Sequence, residues 1–351
     1  IDKTKVNTIG VIGPNADSRA ALIGNYHGTS SEYITVLEGI REEAGDDVRI
    51  LYSQGCDLYK DKVENLAWDQ DRISEAVITA ENSDVVILCV GLNETLEGEE
   101  GDTGNSDASG DKVDLHLPKV QEELIEKVTA VGKPTIVVLM AGSAIDLNYA
   151  QDNCNGILLA WYPGARGGRA IADLLFGKES PSGKLPITFY KDLEGMPEFT
   201  DYSMKNRTYR YMEKEALYPF GYGLTYSDTC VTEAEVVGEV SAESDIMLKA
   251  TVKNNGTVDT DEVVQVYIKD LDSPLAVRNY SLCGFKRVSL KAGEEKSVEF
   301  TISNKAMNIV DEDGNRYIAG KHFRLFAGVS QPDTRSAELT GHKPAEVEIA
   351  L

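Results

Sequence analysis

Cysteine and histidine are scarce in this chain, and neither is arranged for metal or redox chemistry. The five cysteines, Cys56, Cys89, Cys154, Cys230 and Cys283, are an odd number without a CxxC pair, which excludes a disulfide framework as the organising device. Cys89 and Cys154 sit in apolar runs, as small hydrophobes do. The four histidines, His27, His116, His322 and His342, are scattered, so neither zinc spacing nor a nucleophile-plus-histidine arrangement is suggested. Positive charge is short as well: 35 Lys and Arg stand against 58 Asp and Glu, a formal net charge of −23. Nucleic acid and anionic membrane both attract basic surfaces, so neither is expected as a partner. Apolar runs such as Thr135 to Met140 and Gly156 to Tyr162 fall far short of the roughly 20 residues that cross a bilayer. A G-x-G-x-x-G spacing is missing around Gly10 and Gly13, which argues against a dinucleotide loop, and no cofactor or metal is expected. Ile1 stands where an initiator Met or signal sequence would begin, and a strand pattern starts within ten residues. The chain is therefore read as a piece of a longer polypeptide. Its lack of a cysteine framework favours a reducing cytoplasm.

What is present is organised around Asp84 to Leu117. Asp84 to Val90 is an unbroken Val- and Ile-rich run, the pattern of a strand buried on both faces of a parallel sheet. It stops at Gly91. A loop of about two dozen residues follows, well beyond the usual strand-to-helix connection. It carries Glu94, Glu97, Glu99, Glu100 and Asp102. Ligands of open α/β sheets bind beyond the carboxyl ends of the strands, where this loop lies. A carboxyl group held there against apolar or like-charged neighbours could serve as a general acid. A solvated acidic surface would have the same composition, and a calcium loop is a third reading. The EF-hand ligand spacing is not met after Asp102.

The surrounding pattern alternates. Strands are expected at Val6–Ile12, Val48–Tyr52, Pro134–Met140 and Gly156–Trp161, with helices at Val36–Ala44, Ile73–Asn82 and Lys119–Val131, the last stopped by Gly132. That alternation predicts a doubly wound, largely parallel α/β sandwich. From Ser180 the texture changes. PSGKLPITFYKD reads as a short edge strand, and Asp192 to Tyr226 is rich in Tyr, Gly and Pro without helical or strand period. Beyond Val231, short runs separated by Asn254-Asn255-Gly256, Ala292-Gly293 and Asp313-Gly314 predict an all-β sandwich. The expected domains are 1–190, a linker at 191–230, and 231–351.

Five ordered stretches give the chain a family likeness: GNYHGTSSEYITVLEGI (Gly24 to Ile40), GLNETLEGEEGD (Gly91 to Asp102), LAWYPGARGGRAIADLLFGKESPSGKLPITF (Leu159 to Phe189), RTYRYMEKEALYPFGYGLTY (Arg207 to Tyr226) and CGFKRVSLKAGEEKSVEF (Cys283 to Phe300). It resembles the C-terminal half of glycoside hydrolase family 3, the β-glucosidases and β-xylosidases. The resemblance implies an α/β sandwich domain carrying the acid/base, a fibronectin type III-like domain after it, and an Asp nucleophile on an N-terminal barrel, in this protein or on another chain. It implies a retaining, exo-acting β-glycosidase without a cofactor, whose substrate is a β-linked oligosaccharide or aryl glycoside. The family's E-x-E-G-x-D stretch corresponds best to Glu97 through Asp102, with Glu99 as acid/base and Glu100 and Glu97 as fallbacks. Two features depart from the family pattern. Thr103 stands where an Arg commonly follows the Asp, and Glu100 displaces the glycine after the second Glu. An added stretch, Thr103 to Lys112, then shapes a subsite or hangs in solvent.

Tyr26, in GNYHG, is the other candidate: it stacks on or hydrogen-bonds to a sugar, or it packs under its own loop. Trp161, in an apolar run before Pro163, reads as core. Arg166 and Arg169 read as ion-pair or domain contacts. The rival to the enzyme reading is a non-catalytic carbohydrate-binding or scaffolding module.

Overall fold

A computed structural model describes residues 1–68, 70–98 and 112–351. The chain forms two compact units, Ile1–Glu179 and Ser180–Leu351.

The first unit contains β1 (Thr8–Ile12), α1 (Ala20–Ile23), α2 (Val36–Ala44), β2 (Arg49–Ser53), α3 (Asp71–Glu81), β3 (Val85–Gly91), α4 (Lys119–Thr129), β4 (Thr135–Met140), α5 (Asn148–Asn153), β5 (Gly156–Leu159) and α6 (Gly167–Leu175). Among the described residues its five strands pair in the order β2-β1-β3-β4-β5, all parallel. β3 lies in the middle and every one of its residues is buried, which is why its sequence is apolar without alternation. The faces divide by the strand period. Ile9, Val11, Ile87, Cys89, Val138 and Met140 join α2 and α6 in one core. The remaining buried strand side chains have α3 and α4 as neighbouring helices.

Local chemistry sets these helices. Thr35 and Glu38 form a reciprocal capping box that starts α2. Helices α2 and α6 come close because Gly39 and Gly168 face backbone: a Cβ on Gly168 would lie 1.8 Å from the Thr35 carbonyl oxygen. Asp84 holds the start of β1 by accepting from the Asn7 and Thr8 N–H groups, and those bonds hold its carboxyl below the usual range.

The second unit holds β6 (Phe189–Tyr190), α7 (Thr208–Tyr211), β7 (Ala216–Tyr218), β8 (Thr229–Val237), β9 (Ile246–Asn254), β10 (Thr260–Asp270), β11 (Ser281–Leu290), β12 (Glu295–Ile302), β13 (Asn308–Val310), β14 (Arg316–Ile318), β15 (His322–Gly328), α8 (Thr334–Thr340) and β16 (Ala345–Ala350). Sheets β11-β10-β15-β16 and β12-β9-β8 enclose a core of Ile246, Leu248, Val264, Val266, Phe300 and Phe323, among others. β9 alternates buried and less buried residues along its length, the period-2 signature of a half-buried strand. The second unit is thus an all-β sandwich and the first a parallel α/β sandwich, as the turn signals and alternation predict.

The division falls at Glu179, and the aperiodic stretch 191–230 is built into the second unit. β6 pairs with β7, and Tyr209 stacks on Phe220 at 4.3 Å while meeting Tyr267 edge-on. Aromatic burial, rather than a repeating pattern, orders this stretch.

Candidate active site

The site lies at the carboxyl ends of the parallel strands. Strand order 2-1-3-4-5 puts a topological switch between β1 and β3, the usual ligand crevice of such sheets. Here that crevice is filled with protein. A Cβ on Gly13 would lie 2.0 Å from the Cys89 carbonyl oxygen, and the buried Asn15 amide donates to the Leu92 carbonyl at 3.2 Å. The loops after β3, β4 and β5 converge instead.

The acidic loop begins from a clamped point. Gln121, fully buried on α4, accepts from the Gly91 N–H at 2.8 Å and donates to the Gly91 carbonyl at 2.7 Å and the Leu58 carbonyl at 2.6 Å. Asn93 then folds a turn: its carbonyl accepts from the Leu96 and Glu97 N–H groups, and its side chain from Thr95. This turn aims Glu97 back across the sheet edge. Glu97 Oε2 accepts from the Gly142 N–H at 2.7 Å, just beyond β4, and from the Tyr162 hydroxyl at 2.6 Å, just beyond β5. Burial first, then the charge of Glu97, pushes the Tyr162 phenol well above its ordinary value, so it stays a donor.

Three polar atoms at this edge are buried without a hydrogen-bond partner among the described residues: Glu97 Oε1, Glu94 Oε2 and Ser143 Oγ. Buried polar atoms left open are uncommon in folded proteins. Lys112 supplies positive charge nearby. Its ammonium donates to the Ala144 carbonyl at 2.7 Å; burial pulls its pKa down while the charges of Glu97 and Asp114 oppose that. No group of three or more His, Cys, Asp or Glu among the described residues is placed to hold a metal ion.

The GNYHG loop joins the same edge. A Cβ on Gly24 would fall 2.5 Å from the Tyr162 ring, so only glycine lets the two loops touch. Two residues on, Tyr26 is 83% exposed with φ 52° and its N–H donates to the Asn25 side chain. It does not pack under its own loop. Glu99 and Glu100 lie outside the described residues, as does Thr103 to Asp111 of the added stretch. Trp161 is not core. β5 ends at Leu159, and Trp161 is half-buried with φ 54°, a left-handed conformation rare for a bulky residue. Arg166 and Arg169 form exposed ion pairs with Glu32 and Glu42. Burial pushes the Cys56 thiol up to about 12 and Cys154 to about 11, which leaves neither suited to nucleophilic work.

The family model described as the glycosyl hydrolase family 3 C-terminal domain matches residues 1–226. The chain belongs to glycosyl hydrolase family 3. A fibronectin type III-like domain matches residues 262–331. A β-xylosidase of Formosa agariphila is 34% identical over 97% of this chain and 47% of its own length. A periplasmic β-glucosidase of Salmonella typhimurium is 31% identical over 93% of this chain and 45% of its own length. The solved structure of a β-glucosidase from Erythrobacter marinus superposes over 100% of this chain and 47% of that one, with TM-score 0.82 and 30% identity. The chain thus spans about half the length of the curated relatives it matches.

Within this family 3 domain, reasoning from sequence missed Tyr162, Gly142 and Ser143. Tyr162 stands inside the quoted LAWYPGARGG stretch and Gly24 inside GNYHG, so two of the motifs meet in space. A tyrosine between a tryptophan and a proline, just beyond a strand, was the available signal.

Proposed function

We propose that this chain is the acid/base half of a retaining, exo-acting β-glycosidase, a β-xylosidase or β-glucosidase, with Glu99 as the general acid/base and the nucleophilic Asp on a barrel domain outside these residues. The observation that carries the reading is Glu97. It belongs to the E-x-E-G-x-D stretch, and its carboxylate is pinned at the carboxyl edge of the sheet between the ends of β4 and β5.

In the first step the barrel's carboxylate attacks the anomeric carbon while the Glu99 carboxyl gives its proton to the glycosidic oxygen, releasing the aglycone. In the second, the Glu99 carboxylate takes a proton from the water that attacks the glycosyl-enzyme. The two carboxyl groups of such a pair stand about 5–5.5 Å apart. The open polar atoms at Glu94 and Glu97, with Ser143, are groups a sugar hydroxyl would satisfy, and the exposure of the Tyr26 ring supports its reading as a surface for a pyranose. A general acid alone contributes about 10²- to 10⁴-fold, so the chain by itself is expected to be inactive or nearly so. Naming of relatives as β-xylosidases supports a pentose substrate, a β-linked oligosaccharide or aryl xyloside.

The test is Glu99→Ala in the full-length protein. Turnover of a methylphenyl glycoside is expected to fall by about 10²- to 10⁴-fold. On an activated aryl glycoside, azide restores rate and yields the β-glycosyl azide. Wild-type turnover on both substrates would remove Glu99 from the acid/base role, and the same result with Glu100→Ala and Glu97→Ala would replace the enzyme reading of this chain with a non-catalytic carbohydrate-binding or scaffolding module.

A further inference from the structure

Glu97 and Lys112 carry opposite charges and are fastened to one short loop. Glu97 Oε2 accepts from the Gly142 N–H, the Lys112 ammonium donates to the Ala144 carbonyl, and Ser143 lies between those two anchors. The loop is held at both ends by fully buried side chains, Ala141 and Ile145. Three residues span at most about 11 Å, so the anchors lie no further apart than a sugar ring or two. Burial lowers the Lys112 pKa and the charge of Glu97 works against it, which places the two within electrostatic reach of each other. Yet neither charge is spent on an ion pair among the described residues. The valences left over are open and of unlike kinds. Glu97 Oε1 and Glu94 Oε2 are buried acceptors without a partner, and Ser143 Oγ, equally open, can give or take a proton. An ammonium has three N–H donors, and Ala144 takes one of them.

We propose that Lys112, Ser143 and the free oxygens of Glu94 and Glu97 form a subsite that reads hydroxyls of the sugar substrate, with Lys112 as its specificity-determining donor. This rests on the reading of the chain as part of a β-glycosidase and needs no assignment of the acid/base. The mixture of charges selects the ligand class. An anion meets two carboxylates there and a simple cation meets the ammonium, whereas a neutral polyol satisfies both, because each hydroxyl gives one proton and accepts another. Acceptors outnumber cations, so the ligand must donate more often than it accepts, as neighbouring sugar hydroxyls can. The Tyr162 hydroxyl and the Gly142 N–H already occupy Glu97 Oε2, which leaves Oε1 as the oxygen that faces the ligand. A hydrogen bond to a charged group is worth about 10- to 100-fold in an equilibrium, and a ligand lacking the hydroxyl forfeits it.

The test is a deoxy-substrate cycle in the full-length protein, comparing wild type, Lys112→Met and Lys112→Arg on a β-linked disaccharide, on its monodeoxy analogues and on the aryl glycoside of the same sugar. Lys112→Met is expected to lose about 10- to 100-fold in kcat/KM on the disaccharide. On the analogue that lacks the hydroxyl Lys112 reads, wild type and Lys112→Met should agree within about threefold, since the two changes remove the same bond. Lys112→Arg keeps the charge and should still tell that analogue from the parent. The aryl glycoside places the hydroxyl: a loss there as well puts it on the sugar that is transferred, and full rate there puts it on the sugar that leaves. An equal loss on every analogue would reduce Lys112 to a structural support of the 142–144 loop and overturn the proposal. So would a Lys112→Met enzyme with wild-type rate on the disaccharide. A wild type that turns over neither xylosides nor glucosides would instead sink the glycosidase reading, and the subsite with it. Ser143→Ala, which removes a single oxygen, repeats the cycle should Lys112→Met fail to fold.

Discussion

Two carboxylates, one in each unit, show how differently this chain uses a buried or half-buried charge. Glu262 on β10 is 1% exposed, and both its oxygens are used. Oε1 lies 2.8 Å from the Lys184 ammonium and accepts from the Val263 N–H, while Oε2 accepts from the Thr229 hydroxyl at 2.6 Å. Lys184 in turn donates to the Gly223 carbonyl, so the network closes on itself. Glu97 holds two donors on one oxygen and none on the other. A closed network ties segments together and has no valence left for a ligand. An open one, built at the carboxyl edge of a parallel sheet, is fixed in place yet still able to bind. The same residue type therefore closes a network in the sandwich and leaves one open beside the parallel sheet.

The strongest way to break this comparison is Lys184→Met. Glu262 would then remain buried without its cation, and removal of one member of a buried pair costs about 3–5 kcal/mol. Denaturant unfolding of the second unit should show that loss, and Lys184→Met with Glu262→Gln should recover much of it because the uncompensated charge is gone. Glu97→Gln, by contrast, keeps an oxygen that can accept from both donors and should cost at most about 1.5–3 kcal/mol of first-unit stability, the range of a hydrogen bond to a charged group. Equal losses in the two cases would remove the distinction between a closed and an open network.

A smaller effect sharpens the contrast in how the units are built. The first brings α2 and α6 together through backbone, and Gly168→Ala would place a methyl group 1.8 Å from the Thr35 carbonyl oxygen and 2.6 Å from that of Ile34. Overpacking of this kind costs about 1–3 kcal/mol. Gly183→Ala, in the second unit, meets nothing within 4 Å and should leave the midpoint of unfolding almost unchanged. Thermal melts of the two variants check both. If Gly168→Ala is silent, the helices have room that their geometry denies.

Much of this architecture is legible in the chain because the physics is local. β3 reads as a central strand since VVILCV has no polar face to show solvent, and the sandwich reads from alternation broken by Asn-Asn-Gly and Asp-Gly turns. The site is less legible because its bonds are remote. Tyr162 and Glu97 are 65 residues apart, and only the parallel crossovers bring β3 and β5 to one edge. Trp161 misleads for a related reason: an apolar run into Pro163 looks like continuing strand, whereas β5 ends at Leu159 and Trp161 itself takes a left-handed conformation. The stretch 191–230 has no period to read, since its order comes from rings such as Tyr209 and Phe220 finding one another. Glu99 rests on likeness to a motif, and the motif's neighbour Glu97 is what the geometry places.

The smallest effect concerns the chain just past the acidic loop. His116 stands before α4, where its Nδ1 lies 2.8 Å from Glu122 Oε1 and 3.9 Å from Asp146 Oδ2. The hydrogen bond to Glu122 comes first and the charges of Glu122, Asp114 and Asp146 follow in raising the imidazole above its ordinary 6.5, against a cost of burial. A raised folded-state pKa means that the protonated form is favoured by folding. The stabilisation is complete below about pH 6.5 and fades as pH climbs through the folded value. With the His116 side chain 56% exposed, solvent screening keeps it to a few tenths of a kcal/mol, on the order of an exposed ion pair. Stability of the first unit should therefore decline slightly from pH 6 to pH 8, and His116→Gln should flatten that slope without altering the second unit. A slope that survives in His116→Gln would assign the titration elsewhere. A slope that vanishes would show that the return from the acidic loop into α4 is held by charge as well as by the Asp146 N–H to Leu115 carbonyl bond, the weaker counterpart on this side of the loop to the Tyr162 and Gly142 bonds on the other.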